Sequence, residues 1–236
     1  LVYRLVIQPT QIKKETIELT PQQQHYLLRV LRMKKGDRFI AMDGQGLCWW
    51  AEIEETSACL KESINLSSEL PVTITLAVAL PKGNSFEQIV RCGTELGVSV
   101  FVPVISDRTL LKPSEHKLQR WRKIAIEAAE QAERQIVPTI AEPNLFRELL
   151  NSPIYTDYDC YLCVARGDVP HFGNDIQRSV NKNIIIATGP EGGWTTKEIE
   201  NAIAVGWQPV SLGKRILRAV TAPIVALSLA SAAIER

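Results

Sequence analysis

Residues 184–198 read Ile184-Ile185-Ile186-Ala187-Thr188-Gly189-Pro190-Glu191-Gly192-Gly193-Trp194-Thr195-Thr196-Lys197-Glu198. The apolar run Ile184–Ala187 has the composition of a strand buried on both faces, and the glycines that follow break it sharply. Thr195 with Glu198 three residues later forms a capping box, so a helix is expected over Thr196–Val205 with Ile199, Ala202 and Ile203 facing inward. Strand, glycine turn and helix recur a few residues on. Pro209–Ser211 is a second strand candidate, and Leu212–Ala222 (Leu-Gly-Lys-Arg-Ile-Leu-Arg-Ala-Val-Thr-Ala) leads into another helical pattern. In an open α/β sheet, ligands sit in loops leaving the C-terminal ends of parallel strands, so these two loops predict one pocket.

Working outward, strands alternate with helices through the whole stretch after Pro71. Val72–Leu80 is an apolar strand; a helix spans about Ser85–Leu96, ended by Gly97, and Val98–Val104 is the next strand. Ser114–Arg134 is a long amphipathic helix with Leu118, Trp121, Ile124, Ala125 and Ala128 on its apolar stripe. Cys160–Ala165 supplies a further strand. This alternation predicts a parallel sheet with helices on both faces. Before Ser67 the texture differs. Arg38–Met42 and Leu47–Ile53 flank Asp43-Gly44-Gln45-Gly46, the spacing of short strands in a small β-barrel or sandwich. One helix opens there at Thr20-Pro21, with Tyr26, Leu27, Val30 and Leu31 at helical spacing for an inward face. Two domains are therefore expected, residues 1–70 and 71–236.

Charge and composition exclude several classes. With 27 Lys and Arg against 26 Asp and Glu, the formal net charge is +1, which rules out a polybasic tail protein but leaves room for a local basic face. Arg29, Arg32, Lys34, Lys35 and Arg38 form such a cluster. No apolar run is long enough to cross a bilayer, and no signal peptide is recognisable, so no membrane association and a cytoplasmic location are expected. Five scattered cysteines fit reduced core thiols better than a disulfide framework. Cys160 and Cys163 form a C-x-x-C, but within a strand an odd spacing sends the two thiols to opposite faces. No histidine lies at ligand spacing with them, so no metal site is expected.

The loops carry readable chemistry. Gly189-Pro190-Glu191-Gly192-Gly193 lets the backbone approach a ligand closely while proline stiffens the turn. It is not a Walker A loop, since no Lys-Ser or Lys-Thr follows, nor a G-x-G-x-x-G fingerprint. In the second loop Lys214, Arg215 and Arg218 stand beside apolar Ile216 and Leu217. That mixture suits an apolar slot for a flat heterocycle with cations aimed at an anion.

Taken together, these segments resemble the ribosomal RNA small-subunit methyltransferase E family, a branch of the SPOUT (trefoil-knot) methyltransferases. The resemblance rests on Ala187–Glu198 and Leu212–Ala222. It is extended by His25–Arg32 with Lys35-Gly36-Asp37, by Lys82-Gly83, by Glu95–Val98 with Pro103 and Ser106–Arg108, and by Trp121–Ile124 leading to Glu127, Ala128, Glu130, Gln131, Arg134 and Pro138–Ile140. Val220 departs from it, because the family usually has Glu there.

The resemblance implies a PUA-like β-barrel followed by a knotted α/β domain that forms homodimers. It implies S-adenosylmethionine as cofactor and N3 of a uridine in the decoding region of 16S ribosomal RNA in the small ribosomal subunit as acceptor. Carried onto this chain, Val164, Ala165, Thr188, Gly189, Pro190, Glu191, Gly192, Gly193, Leu212, Gly213, Ile216 and Leu217 would hold the cofactor. Arg218 would stabilise the anionic acceptor, with Lys214 and Arg215 as weaker candidates. Arg4, Arg29, Arg32, Lys35, Arg108 and Arg134 would meet the RNA. Two rivals remain open at this point: a SPOUT enzyme acting on another ribosomal or transfer RNA nucleotide, and a non-catalytic RNA-binding or assembly factor. A nucleotide hydrolase is disfavoured by the missing Walker lysine.

Overall fold

A computed structural model describes residues 2–66, 68–110, 112–179 and 181–235. They cluster into two compact units, Leu1–Glu69 with Ala129–Val137, and Leu70–Ala128 with Pro138–Arg236. The 129–137 stretch thus belongs with the first unit, although it follows the second unit's long helix in sequence.

The first unit is a mixed six-stranded sheet, built from β1 (Arg4–Val6), β2 (Ile12–Lys13), β3 (Thr16–Glu18), β4 (Arg38–Met42), β5 (Cys48–Ile53) and β6 (Ser57–Ile64). Its order is β1-β4-β5-β6-β3-β2, with only β1 and β4 parallel. With β1 and β2 as its edges, the sheet is a curled half-barrel, the PUA-like architecture that the resemblance implied. Its core is Leu5, Ile7, Ile17, Leu27, Phe39, Ala41, Ala51 and Ile53.

The helix opens as expected. Thr20 accepts from the Gln23 amide, and the Gln23 side chain returns the bond, over α1 (Pro21–Gln24). From His25 to Val30, however, the chain widens into a π-helix, with Leu31 N–H donating to the Tyr26 carbonyl five residues back. That wider turn changes which side chains face inward. Leu27 is buried with Leu28 and Leu31 against it, while Tyr26 and Val30, expected inside, are exposed.

Two arginines are absorbed by this unit. Arg134 donates from Nη2 to Glu69 Oε2 at 2.5 Å, and Glu69 Oε1 also accepts from the backbone of Gln135 and Ile136. Arg4 pairs with Glu133 at 2.8 Å with its side chain only 9% exposed. Both were expected to meet RNA, yet a guanidinium buried against a carboxylate cannot also neutralise phosphate.

The second unit is an all-parallel sheet of seven strands among the described residues. These are β7 (Thr73–Ala79), β8 (Val100–Ile105), β9 (Thr139–Ile140), β10 (Asn144–Leu145), β11 (Asp159–Cys163), β12 (Asn183–Thr188) and β13 (Gln208–Val210). The order is β10-β8-β7-β12-β11-β13, with β9 also on β8. Alternation sends Ala77, Ala79, Val102, Val104, Leu162, Ile185 and Ala187 to one face, under α4 (Phe146–Leu150) and α6 (Thr196–Ala204). Leu76, Val78, Phe101, Ile184 and Ile186 take the other.

That second face packs α2 (Ser85–Glu95), α3 (Glu115–Gln131), the short α5 (Phe172–Asp175) and α7 (Thr221–Ile234). Trp121 of α3 tilts against Phe86 of α2, with ring centroids 4.4 Å apart. Gly93 is required for close approach: a Cβ there would lie 2.7 Å from the Phe101 ring. The long helix ends at Gln131, short of the expected Arg134, since Glu133 takes a left-handed φ of 61°. On α6, Ala202 is buried but Ile203, expected inward, is 50% exposed. No helix among the described residues is long and apolar enough to cross a membrane.

Glu69→Ala removes the carboxylate that faces the buried Arg134 guanidinium and accepts from two backbone N–H groups. The expected loss is about 3–5 kcal/mol, read as a lowered urea midpoint; an unchanged midpoint would show that the pair contributes nothing.

Candidate functional site

The loops after β11, β12 and β13 converge on a cleft of about 290 Å³ in the second unit. Each loop starts where a buried parallel strand stops, so its path is fixed by hydrogen bonds at its root. Val164 N–H donates to the Val210 carbonyl at 2.9 Å, which aligns the ends of β11 and β13.

Of the twelve residues expected to hold a cofactor, eleven line the cleft: Val164 and Ala165 after β11, Gly189–Gly193 after β12, and Leu212, Gly213, Ile216 and Leu217 after β13. Thr188 does not. It is fully buried as the last residue of β12, and its Oγ1 has no hydrogen-bond partner among the described residues. The reason is alternation, which turns its side chain into the sheet face below the loop. Arg218 is exposed and sits between the lining residues Leu217 and Ala219, while its carbonyl accepts from the N–H groups of Thr221 and Ala222 at the start of α7. Its side chain is exposed and is not part of the cleft lining. Val220, where the family pattern has Glu, is the N-cap of α7 and provides no side-chain bond there.

The glycine loop is shaped and held from several sides. Gly193 has φ +66°, the left-handed region that glycine enters without strain. A Cβ on Gly192 would stand 3.1 Å from Arg108 Cδ, so the arginine stem lies directly over that residue. Arg108 Nη1 donates to the Gly192 carbonyl at 2.6 Å. Glu191 Oε1 accepts from the Lys82 backbone N–H at 2.9 Å, tying the loop to the end of β7. Trp194 is buried, stacks on Phe146 at 4.2 Å, and donates its indole N–H to the Cys163 carbonyl at 3.1 Å.

Several residues of the cleft were not marked as site residues by the sequence, Cys163, Ala219 and Ala222 among them. Trp194 and Ile199 line it, although the sequence marked only their places in a turn and a helix. Arg166, beyond the apolar run of β11, also lines it, and nothing local distinguishes it from a surface cation. Arg108, expected on the RNA-facing surface, is instead a wall of this cleft. Arg166 and Arg215 line it with no ion-pair partner among the described residues. Glu191 is the one acidic residue in the lining.

Cys163 lines the cleft, but the thiols of the C-x-x-C pair are not reactive groups. Burial pushes the Cys163 thiol up to about 12, and burial with nearby Asp159 pushes Cys160 up to about 11, so neither presents a thiolate at neutral pH. All five cysteines are free, and no three His, Cys, Asp or Glu side chains cluster as metal ligands among the described residues. Of the remaining cations expected at RNA, Arg29, Arg32 and Lys35 are exposed on the first unit, with Lys35 3.3 Å from Glu54.

Comparisons with known proteins agree on both units. An RNA methyltransferase domain family matches residues 68–231, and an RNA methyltransferase PUA domain family matches residues 19–61. The ribosomal RNA small subunit methyltransferase E of Synechocystis is 50% identical, covering 100% of this chain and 79% of that protein. The protein of the same name from Bacillus subtilis is 35% identical over 92% of this chain and 90% of its own. Among solved structures, the Neisseria gonorrhoeae ribosomal RNA small subunit methyltransferase E bound to S-adenosylmethionine superposes with a TM-score of 0.86 at 30% identity, covering 97% of this chain and 96% of that one. A Legionella pneumophila methyltransferase in complex with the same cofactor gives 0.84 at 27% identity, covering 99% and 98%.

Proposed function

This chain belongs to the ribosomal RNA small subunit methyltransferase E family, and from that premise we propose that it methylates N3 of a uridine in the decoding region of 16S ribosomal RNA with S-adenosylmethionine as donor. The observation that carries the reading is the cleft, where eleven residues from three strand-end loops meet around a glycine cradle. Its mixed lining fits the group: apolar Val164, Ile216 and Leu217 suit a flat base, and backbone amides of the glycine loop suit polar edges.

When bound, the cofactor supplies an electrophilic methyl group on sulfur. The protein's share is position and charge. The clamped loop fixes one reactant so that the acceptor nitrogen can approach in line, which removes much of the entropic barrier. Uridine N3 becomes nucleophilic on losing its proton, with charge spreading onto the adjoining carbonyl oxygens. Arginine stays protonated and cannot take that proton, but Arg218, exposed between the lining residues Leu217 and Ala219, can stabilise the anion as it forms. Lys214 and Arg215 are its neighbours. No histidine lines the cleft, and Glu191, the acidic residue there, is held by the Lys82 amide, so the proton passes to solvent.

The acceptor must arrive as an unstacked base, because a paired uridine hides N3. Its flanking phosphates meet Arg166 and Arg215, whose guanidiniums are uncommitted, while Arg29, Arg32 and Lys35 hold more distant backbone. A second copy of the chain covers α7. That helix is apolar all round, yet Ile224, Val225 and Leu229 are only half-buried, an arrangement that favours self-association. The cytoplasm, where ribosomal subunits are assembled, is the working location.

Three outcomes are expected. With labelled S-adenosylmethionine and small subunits, Arg218→Ala lowers kcat by about a hundredfold and leaves cofactor affinity near that of the parent. Methylation by the parent mapped to any atom other than a uridine N3 would move the reading to another SPOUT activity. Arg166→Ala and Arg215→Ala each weaken RNA binding and reduce the salt slope of log K by about 1; unchanged slopes would remove them from the RNA path. Sedimentation equilibrium finds a dimer that Val225→Glu converts to monomer, and a monomeric parent would end the dimer proposal.

A further inference from the structure

Glu198 is a carboxylate only 6% exposed, on the first turn of α6, and it does more than cap its helix. Oε2 accepts from the Thr195 N–H at 2.8 Å, which is the capping bond. Oε1 accepts from the Asp107 N–H at 2.9 Å, and Asp107 lies in a different loop, the one leaving β8. Thr195 Oγ1 lies 3.0 Å from Glu198 Oε2 and 3.2 Å from Asp107 Oδ2, a second thread between the same segments.

The next residue along the β8 loop is Arg108, whose stem covers Gly192 and whose guanidinium holds the Gly192 carbonyl. The β8 loop is also braced on itself, with Ser106 N–H donating to Thr109 Oγ1 at 3.0 Å. Displacing Asp107 therefore displaces Arg108.

We propose that Glu198 is a positioning residue for the cofactor cleft: by holding the Asp107 amide it sets Arg108 as a strap across Gly192, and so fixes the loop that receives the cofactor. The inference rests on the methyltransferase reading. Its chemical requirement is two acceptor oxygens facing opposite ways. A glutamine in this place keeps one acceptor oxygen and turns an NH₂ group toward the other amide, which it cannot accept from. Glu198→Gln thus keeps size and loses one of the two ties. Arg108→Ala removes the strap while leaving both ties of Glu198. Thr195→Ala weakens the cap of α6 while the Glu198–Asp107 bond remains.

The test has a cofactor-free arm and a binding arm. In the protein without ligand, amide hydrogen exchange across Gly189–Trp194 is expected to quicken about tenfold in both Glu198→Gln and Arg108→Ala, the scale of losing one tie to a charged group. Thr195→Ala, which loses the thread to Asp107 Oδ2 as well as the cap, lowers the melting temperature and quickens that exchange less than Glu198→Gln does. A purely capping Glu198 gives the reverse pattern, with faster exchange confined to residues 196–199, and overturns the proposal.

In calorimetry with S-adenosylmethionine, Glu198→Gln and Arg108→Ala each weaken binding, and the double variant binds no more weakly than Arg108→Ala alone. Multiplying losses would show that the two act separately, which also overturns it. A parent protein that binds no S-adenosylmethionine defeats the methyltransferase reading and this inference together. A parent that binds, with Glu198→Gln indistinguishable from it, defeats this inference alone.

Discussion

Parallel pairing of β12 between β7 and β11 is the constraint from which the rest of the second unit follows. Residue by residue, Ile184–Thr188 face Ile74–Val78 on one side and Asp159–Cys163 on the other. A strand flanked on both edges and covered on both faces can hold almost nothing but aliphatic side chains, each contributing roughly 1.5–3 kcal/mol when fully buried. Parallel strands also cannot be joined by tight hairpins. Every strand must end in a loop that travels, and all those loops leave from the same edge. The cleft is the place where three of them meet, so its position is set by strand direction before any side chain of the site is chosen.

The glycine loop then faces two opposed demands. It must bring backbone close to a bound molecule, which requires residues without side chains, and such residues are the most mobile when unrestrained. The structure answers with ties from outside the loop: the Lys82 amide to Glu191, the Arg108 guanidinium to the Gly192 carbonyl, and the Trp194 indole to the Cys163 carbonyl. Glu191 and Arg108 lie at opposite ends of charge, and both are spent on backbone groups of neighbouring loops. Pocket openness and pocket rigidity are supplied by different residues.

Cations divide in the same manner. Arg4 and Arg134 are structural, because each is enclosed with a carboxylate in the first unit. Arg108 is spent on the glycine loop. Arg166 and Arg215 at the cleft, Arg218 beside them in sequence, and Arg29 and Arg32 on the first unit are exposed. A net charge near zero therefore conceals exposed arginines on each unit, with Arg166 and Arg215 in the lining of the second unit's cleft.

The sequence by itself determined the elements whose cause is local. The run Ile184–Ala187 dictated a doubly buried strand, Thr195 and Glu198 dictated a helix start, and the glycines between them dictated a loop that lines the cleft. Eleven of the twelve residues expected to hold a cofactor line the cleft, because backbone loops at strand ends carry their own signature. What only the tertiary structure decided depends on partners far apart in the chain. Thr188 was separated from the loop by which face of β12 it occupies. Arg4 and Arg134 were withdrawn from the surface by Glu133 and Glu69, and Arg166 was brought to the cleft by the pairing of β11 with β13. Tyr26 and Val30 turned outward because a π-helix has a different period from the α-helix that the spacing suggested. Burial of a charge is decided by what the fold places opposite it, and no local pattern records that.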